Sequence, residues 1–302
     1  MAIGEESAAA ANAGDVRSFD EHNLTEAVLH SVAGAKDTRV RQISEALVRH
    51  LHAFIREIEP SEEEWNAGIE FLTRTGHMCT DTRQEFILLS DVLGVSMLVD
   101  AINHRLPGQA TETTVFGPFY VVPPSFEDGA DMKGYLEGVP LYISGAVRNE
   151  AGEAIAGALV DIWHSDDVGF YDLQKLAEHP DLAGRGRFIS QADGSFHAWT
   201  IRPTAYPIPN DGPVGQMLEA QGRHPYRPEH VHFMITAPGY RTLVTHLFAE
   251  GDQYLASDVV FGVKASLIRS YQHHEGGNAP DGKAMSGPWL ELRNDFVLAE
   301  AA

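Results

Sequence analysis

The period of the apolar residues changes once along the chain, and that change constrains the fold more than any other feature. Ile43, Leu47, Leu51, Phe54 and Ile58 recur at intervals of three and four, which places them on one face of an α-helix. From about residue 138 the texture becomes short alternating runs: LYISGAV, ALVDIW, RFISQ, FHAWTIR, HVHFMIT and LVTHLF. Alternation sends successive side chains to opposite faces of a strand. A helical first third followed by short strands without interleaved helices predicts a mainly β chain with some α. Its architecture is an antiparallel β-sandwich or barrel behind a helical segment. The boundaries are a polar, disordered tail over 1–19, a helical domain over 20–109 and a β-sandwich domain over 110–302.

Local signals refine this outline. Pro60 ends the first amphipathic helix, and Ser61 with Glu64 forms a capping box for a second, carrying Trp65, Ile69 and Leu72. A third helix is expected from near Asp81 to about His104. It is apolar nearly all round, as in a helix buried on several sides or lying in a subunit interface. Asp193-Gly194 predicts a hairpin between RFISQ and FHAWTIR, and Ala237-Pro238-Gly239-Tyr240 one between HVHFMIT and LVTHLF.

Charge narrows the partners. Acidic residues number 43 against 22 basic ones, a net charge of −21. Such a surface repels nucleic acid and anionic membranes. The longest apolar stretch, 87–102, is too short to span a bilayer and is interrupted by Asp91 and Asp100. The N-terminus lacks the basic and apolar regions of a secretory signal. The single cysteine, Cys79, permits no internal disulfide. These features together suggest the cytoplasm.

Three segments carry candidate chemistry. His230 and His232 sit at i and i+2 of a strand, on one face and about 7 Å apart at Cα, so both rings can reach one ion. Val231 faces the core. Two unrelated polar residues on a half-exposed strand would look the same. Tyr206 lies in PTAYPIP, a loop stiffened by prolines beyond a strand end. Tyr171 ends the loop GFY after ALVDIW. Either tyrosine alone would read as a packed ring.

Together, DVGFYD around Tyr171, RPTAYPIP around Tyr206 and RPEHVHF at 227–233 resemble the ligand pattern of the intradiol ring-cleaving dioxygenases. RGRFISQADGSFHAWTIRP at 185–203, APGYRTLVTHLF at 237–248 and ATETTVFGPFYV at 110–121 extend the resemblance, which covers about residues 20–298. It implies one Fe(III) per subunit held by Tyr171, Tyr206, His230 and His232, with a solvent hydroxide as fifth ligand and molecular oxygen as co-substrate. Ferric iron is a hard acid suited to phenolate oxygen. The resemblance also implies that Tyr206 acts as an internal base and that Arg227 stabilises negative charge on the ring; a plain salt bridge is the competing role for Arg227. The apolar helix at 81–104 suggests a homodimer through the N-terminal helices, and the same likeness implies a phospholipid trapped there.

The closest resemblance is to the hydroxyquinol 1,2-dioxygenase branch, whose substrate is benzene-1,2,4-triol and whose product is maleylacetate or its tautomer 3-hydroxy-cis,cis-muconate. It implies a pocket of Leu88, Asp91, Val115, Phe116, Gly117, Pro118, Phe119, Ile208 and Pro209; a carboxylate such as Asp91 could accept a hydrogen bond from the extra ring hydroxyl. Asp91 could equally be a helix-surface or helix–helix contact. His246 stands where many catechol enzymes carry glutamine, which adds it to the substrate residues. The alternatives are catechol or a chlorocatechol as substrate, a non-catalytic β-sandwich module, and a zinc hydrolase. The last would require a carboxylate or a third histidine as ligand.

Overall fold

The computed structural model describes residues 18–80, 83–105 and 108–301. All but the last two residues of the expected tail lie outside the described residues, as does the expected helix start at Asp81. The chain divides into two compact units, Met1–Glu70 and Phe71–Ala302.

The first unit holds α1 (Leu24–Val32) and α2 (Thr38–Ile58), and α3 (Glu62–His77) begins in it. Asp37 caps α2 by accepting from the Arg39 and Val40 amides. Glu59, at φ 43°, turns the chain out of the helix before Pro60. The expected capping box forms: the Ser61 amide donates to Glu64 Oε2 at 2.8 Å, and the Glu64 amide to Ser61 Oγ at 3.2 Å. The apolar row Ile43, Leu47, Leu51, Phe54 and Ile58 is exposed.

In the second unit the expected third helix is two helices, α4 (Glu85–Val92) and α5 (Val95–Asn103). Gly94, at φ 72°, supplies the left-handed turn between them. The split explains the apolar character all round. Leu88, Leu89, Val92 and Met97 pack into a small core with Val115, Ile208, Val214 and Val260, whereas Phe86, Ile87, Leu98 and Ile102 are exposed.

The remaining elements are β1 (Pro140–Asn149), β2 (Leu159–Trp163), β3 (Arg185–Ile189), β4 (Ser195–Ile201), β5 (Tyr206–Pro207), α6 (Pro213–Ala220), β6 (Tyr226–Arg227), β7 (His230–Thr236), β8 (Leu243–Ala249), β9 (Ile268–Arg269), β10 (Gln272–His274), β11 (Gly277–Asn278), β12 (Ala284–Met285), β13 (Trp289–Arg293) and β14 (Phe296–Leu298). One sheet runs β3-β2-β7-β8-β9. A second five-stranded sheet is built around β1, which pairs with β4, β13 and β14, and β5-β6 and β11-β12 form two small ladders. One core joins the inner faces of the two large sheets: Val160, Ile162, Phe188, Val231, Phe233 and Ile235 meet Leu141, Ile143, Val147, Phe196, Leu292 and Phe296. Each such side chain contributes ~1.5–3 kcal/mol of burial.

Two expectations change. The 191–194 turn forms, with the Gly194 amide donating to Gln191 O at 2.9 Å, but β3 pairs with β2 and β4 with β1. The chain crosses between layers there instead of closing a hairpin. The sheets are also mixed, since β1 runs parallel to β13 and β14, and β8 to β9. Alternation marks strands and faces, but not the direction of a partner distant in sequence. The β7–β8 hairpin is as expected.

Candidate metal centre

The pleat of β7 decides where the site forms. Val231, Phe233 and Ile235 enter the core, so His230 and His232 project from the opposite face. The ring of His232 stacks on Trp163 of β2 at 4.6 Å. His230 Nδ1 lies 2.7 Å from Pro228 O. A carbonyl only accepts, so Nδ1 carries the proton and Nε2 keeps a free lone pair.

Tyr171 is delivered by the loop after β2. Asp166 Oδ1 folds that loop by accepting from the Val168 and Phe170 amides at 3.0 and 2.8 Å. The next residue, Asp172, forms a buried ion pair with Arg185 of β3, with Nε to Oδ2 at 2.6 Å. Arg185 also donates to Phe119 O at 3.0 Å, and the Phe119 ring stacks on Tyr171 at 4.4 Å. Tyr206 comes from β5, where it pairs with Arg227 across a two-residue ladder. Gly169, at φ 93°, lets the two loops touch; a Cβ there would lie 2.7 Å from Tyr206 Cβ.

The four side chains converge. Tyr171 Oη lies 2.9 Å from His232 Nε2, 3.4 Å from His230 Nε2 and 3.4 Å from Tyr206 Oη. The two Nε2 atoms are 3.2 Å apart. All four residues are at most 5% exposed. Burial, then neighbouring positive charge, drives His230 and His232 well below the usual imidazole range, so both rings are neutral at pH 7. Burial and the adjacent Tyr206 raise Tyr171 well above 10, so its ionisation requires a cation close by.

Arg227 forms an ion pair, the competing role in its sequence reading, and also faces the cluster. Nε and Nη2 face the Asp258 carboxylate at 3.2 and 3.3 Å, while Nη1 lies 3.3 Å from His230 Nε2. Burial opposes its charge, but Asp258 and the two phenols outweigh burial and raise its pKa.

Beside Tyr206 and Arg227 opens a small cavity of about 70 Å³. Leu88, Asp91, Val115, Gly117, Pro118, Phe119, Ile208 and Pro209 line it. Phe116 and His246 do not. Phe116 is half-exposed against Tyr120 and Trp163. His246 is fully enclosed, directly across from His232 in the β7–β8 ladder.

A family described as "Dioxygenase" matches residues 117–300, and "Catechol dioxygenase N terminus" matches 37–111. Hydroxyquinol 1,2-dioxygenase of Nocardioides simplex is 50% identical over 93% of this chain and 96% of its own. The 6-chlorohydroxyquinol 1,2-dioxygenase of Cupriavidus pinatubonensis is 52% identical over 94% and 99%. The crystal structure of hydroxyquinol 1,2-dioxygenase from Pseudomonas putida DLL-E4 superposes with a TM-score of 0.88 at 47% identity, covering 93% of this chain and 99% of that one. This chain belongs to the intradiol ring-cleavage dioxygenases.

The family uses non-haem iron and O2, and the donors of this dioxygenase fit a ferric ion on their own chemistry: two phenols suited to a hard cation, and neutral imidazoles, one with its Nε2 lone pair fixed by a backbone carbonyl. Some of the surroundings escaped sequence reasoning. Trp163 was detectable as the residue whose side of β2 faces away from Val160 and Ile162. Asp258, Arg83, Glu85 and Val260 carry no local signal and join the site only through tertiary contacts.

Proposed function

We propose that this dioxygenase cleaves benzene-1,2,4-triol between its adjacent hydroxyls, inserting both atoms of O2 to give 3-hydroxy-cis,cis-muconate, the tautomer of maleylacetate. One observation carries the reading: Tyr171, Tyr206, His230 and His232 bring their donor atoms together, and Tyr206 also lines a cavity whose wall includes Asp91. The names of the relatives above support the triol over catechol or a chlorocatechol.

In this reading Tyr171, Tyr206, His230 and His232 hold Fe(III). When bound, the ion supplies Lewis acidity toward the diol oxygens and draws electron density from the ring, which makes the ring reactive toward O2. Tyr206 takes up one substrate proton at Oη; its two-residue ladder anchors it less firmly than the long ladders anchor the histidines. Arg227 directs Nη1 at the same space, where it stabilises charge on the ring, and Asp258 holds the guanidinium in that orientation. Leu88, Val115, Ile208 and Pro209 exclude water. Asp91, 8% exposed and raised in pKa by burial, accepts a hydrogen bond from the extra hydroxyl. A site with a buried acceptor rejects an analogue that lacks the donor.

The division into a helical dimerisation domain over 20–109 and a catalytic domain over 110–302 is part of this proposal, as are a cytoplasmic location and a homodimer with bound phospholipid. The exposed apolar row on α2 supports the dimer. No helix among the described residues is long and apolar enough to cross a membrane. Oxygen uptake with benzene-1,2,4-triol against catechol, with identification of the product, tests the substrate. Faster uptake on catechol overturns the substrate assignment.

A further inference from the structure

We infer that His246 is a positioning residue for the metal centre: its Nε2 accepts the Nδ1–H of His232 and so fixes the tautomer and ring orientation of that ligand. The inference rests on the metal reading of the two tyrosines and two histidines.

Valence sets the proton positions. A neutral imidazole carries one proton on its two nitrogens. His232 presents Nε2 to the cluster, 2.9 Å from Tyr171 Oη, so a lone pair there requires the proton on Nδ1. A metal-bound histidine donates that second N–H to an acceptor, which sets its orientation and basicity. His230 does so to Pro228 O. His232 Nδ1 is fully enclosed and makes no hydrogen bond.

His246 is the complementary group. It lies opposite His232 in the β7–β8 register, with ring centroids 4.1 Å apart and planes at 65°. Its Nε2 is also enclosed and without a hydrogen bond, and its Nδ1 is bonded to Thr114 Oγ1. One nitrogen from each of His230, His232 and His246 lies within 4.8 Å of the others, so the three rings form one buried cluster. The proton positions are then self-consistent. His246 donates from Nδ1 to Thr114 and accepts at Nε2 from His232. His246 is absent from the cavity wall, which argues against substrate contact.

The experiment compares wild type with His246→Gln, His246→Leu, Thr114→Ser and Thr114→Val in the full chain. The readouts are iron retention against a chelator, the phenolate-to-iron absorption band, and kcat and KM for the triol. A glutamine side chain keeps an acceptor and a donor at its tip, and serine keeps the hydroxyl, so H246Q and T114S stay near wild type. H246L and T114V retain iron roughly 10- to 100-fold more weakly, shift the band and lower kcat with little change in KM. Wild-type retention and band in H246L overturn the inference. So does a raised KM with an unchanged band, which indicates substrate contact, and so does iron loss from H246Q as complete as from H246L, which indicates direct ligation. If H246L does not fold, an unchanged T114V overturns it equally. Wild-type protein that binds no iron refutes the metal reading itself, a separate result.

Discussion

Gly169 is the point where the Tyr171 loop meets Tyr206, and replacing it with alanine separates backbone strain from ligand displacement. Its φ of 93° is costly for any residue with a Cβ, about 1–2 kcal/mol by the left-handed penalty. The added Cβ would also sit 2.7 Å from Tyr206 Cβ. Carbon atoms rest ~3.5–4.0 Å apart, so Tyr206 must retreat by roughly 1 Å, and a misplacement of that size costs about 100-fold in rate. Gly152 is a matched control: its φ is 81°, and an added Cβ meets nothing within 4 Å. Both G169A and G152A should therefore lower Tm by ~2–4 °C per kcal/mol lost. Only G169A should also lose about 100-fold in kcat and shift the visible band. Thermal melts, absorption spectra and steady-state oxygen uptake on the two variants read these effects. A G169A enzyme with the spectrum and kcat of G152A would refute the claim that this contact seats Tyr206.

Asp258→Asn leaves Arg227 without its carboxylate partner, and kcat should fall about 100-fold while bound iron, measured by elemental analysis, is unchanged. Asp91→Leu should cut the triol-over-catechol ratio of kcat/KM by about 100-fold or more, read by paired oxygen uptake. His164 is held near pKa 4 by burial, below its ordinary 6.5. Its stabilising contribution is therefore complete above pH 6.5 and is lost as pH falls from 6.5 to about 4, on the order of 3 kcal/mol. Calorimetry of metal-free protein should show a shallower fall of Tm over that window in His164→Asn. Leu47→Glu with Leu51→Glu, in the exposed row of α2, should yield monomers by light scattering.

How much could be read in advance follows from the range of each signal. Alternation in HVHFMIT places His230 and His232 opposite Val231 and Phe233, and the structure shows that division. The Ser61–Glu64 capping box spans three residues and needs no tertiary information. Gly94 was visible, but whether it bends or splits a helix depends on what α4 and α5 each cover. RFISQ and FHAWTIR read as a hairpin because the turn is local, whereas the preference of β3 for β2 and of β4 for β1 is set by the core. His246 was noticed as a residue of interest, but only the strand register shows that it stands behind His232 and not in the cavity. Asp258 lies 31 residues beyond Arg227, and no spacing rule connects an acid to an arginine at that distance.

The pairing of β1 with β13 and β14 has a consequence for synthesis. Leu141 finds its neighbour at Leu290 and Val147 at Phe296, so this edge of β1 stays open on the ribosome until nearly all of the sandwich has been made. α1 and α2 are complete long before then. Contacts this distant in sequence slow folding and leave strand edges and apolar faces open to wrong partners. Recombinant yield should therefore respond strongly to growth temperature and chaperone supply.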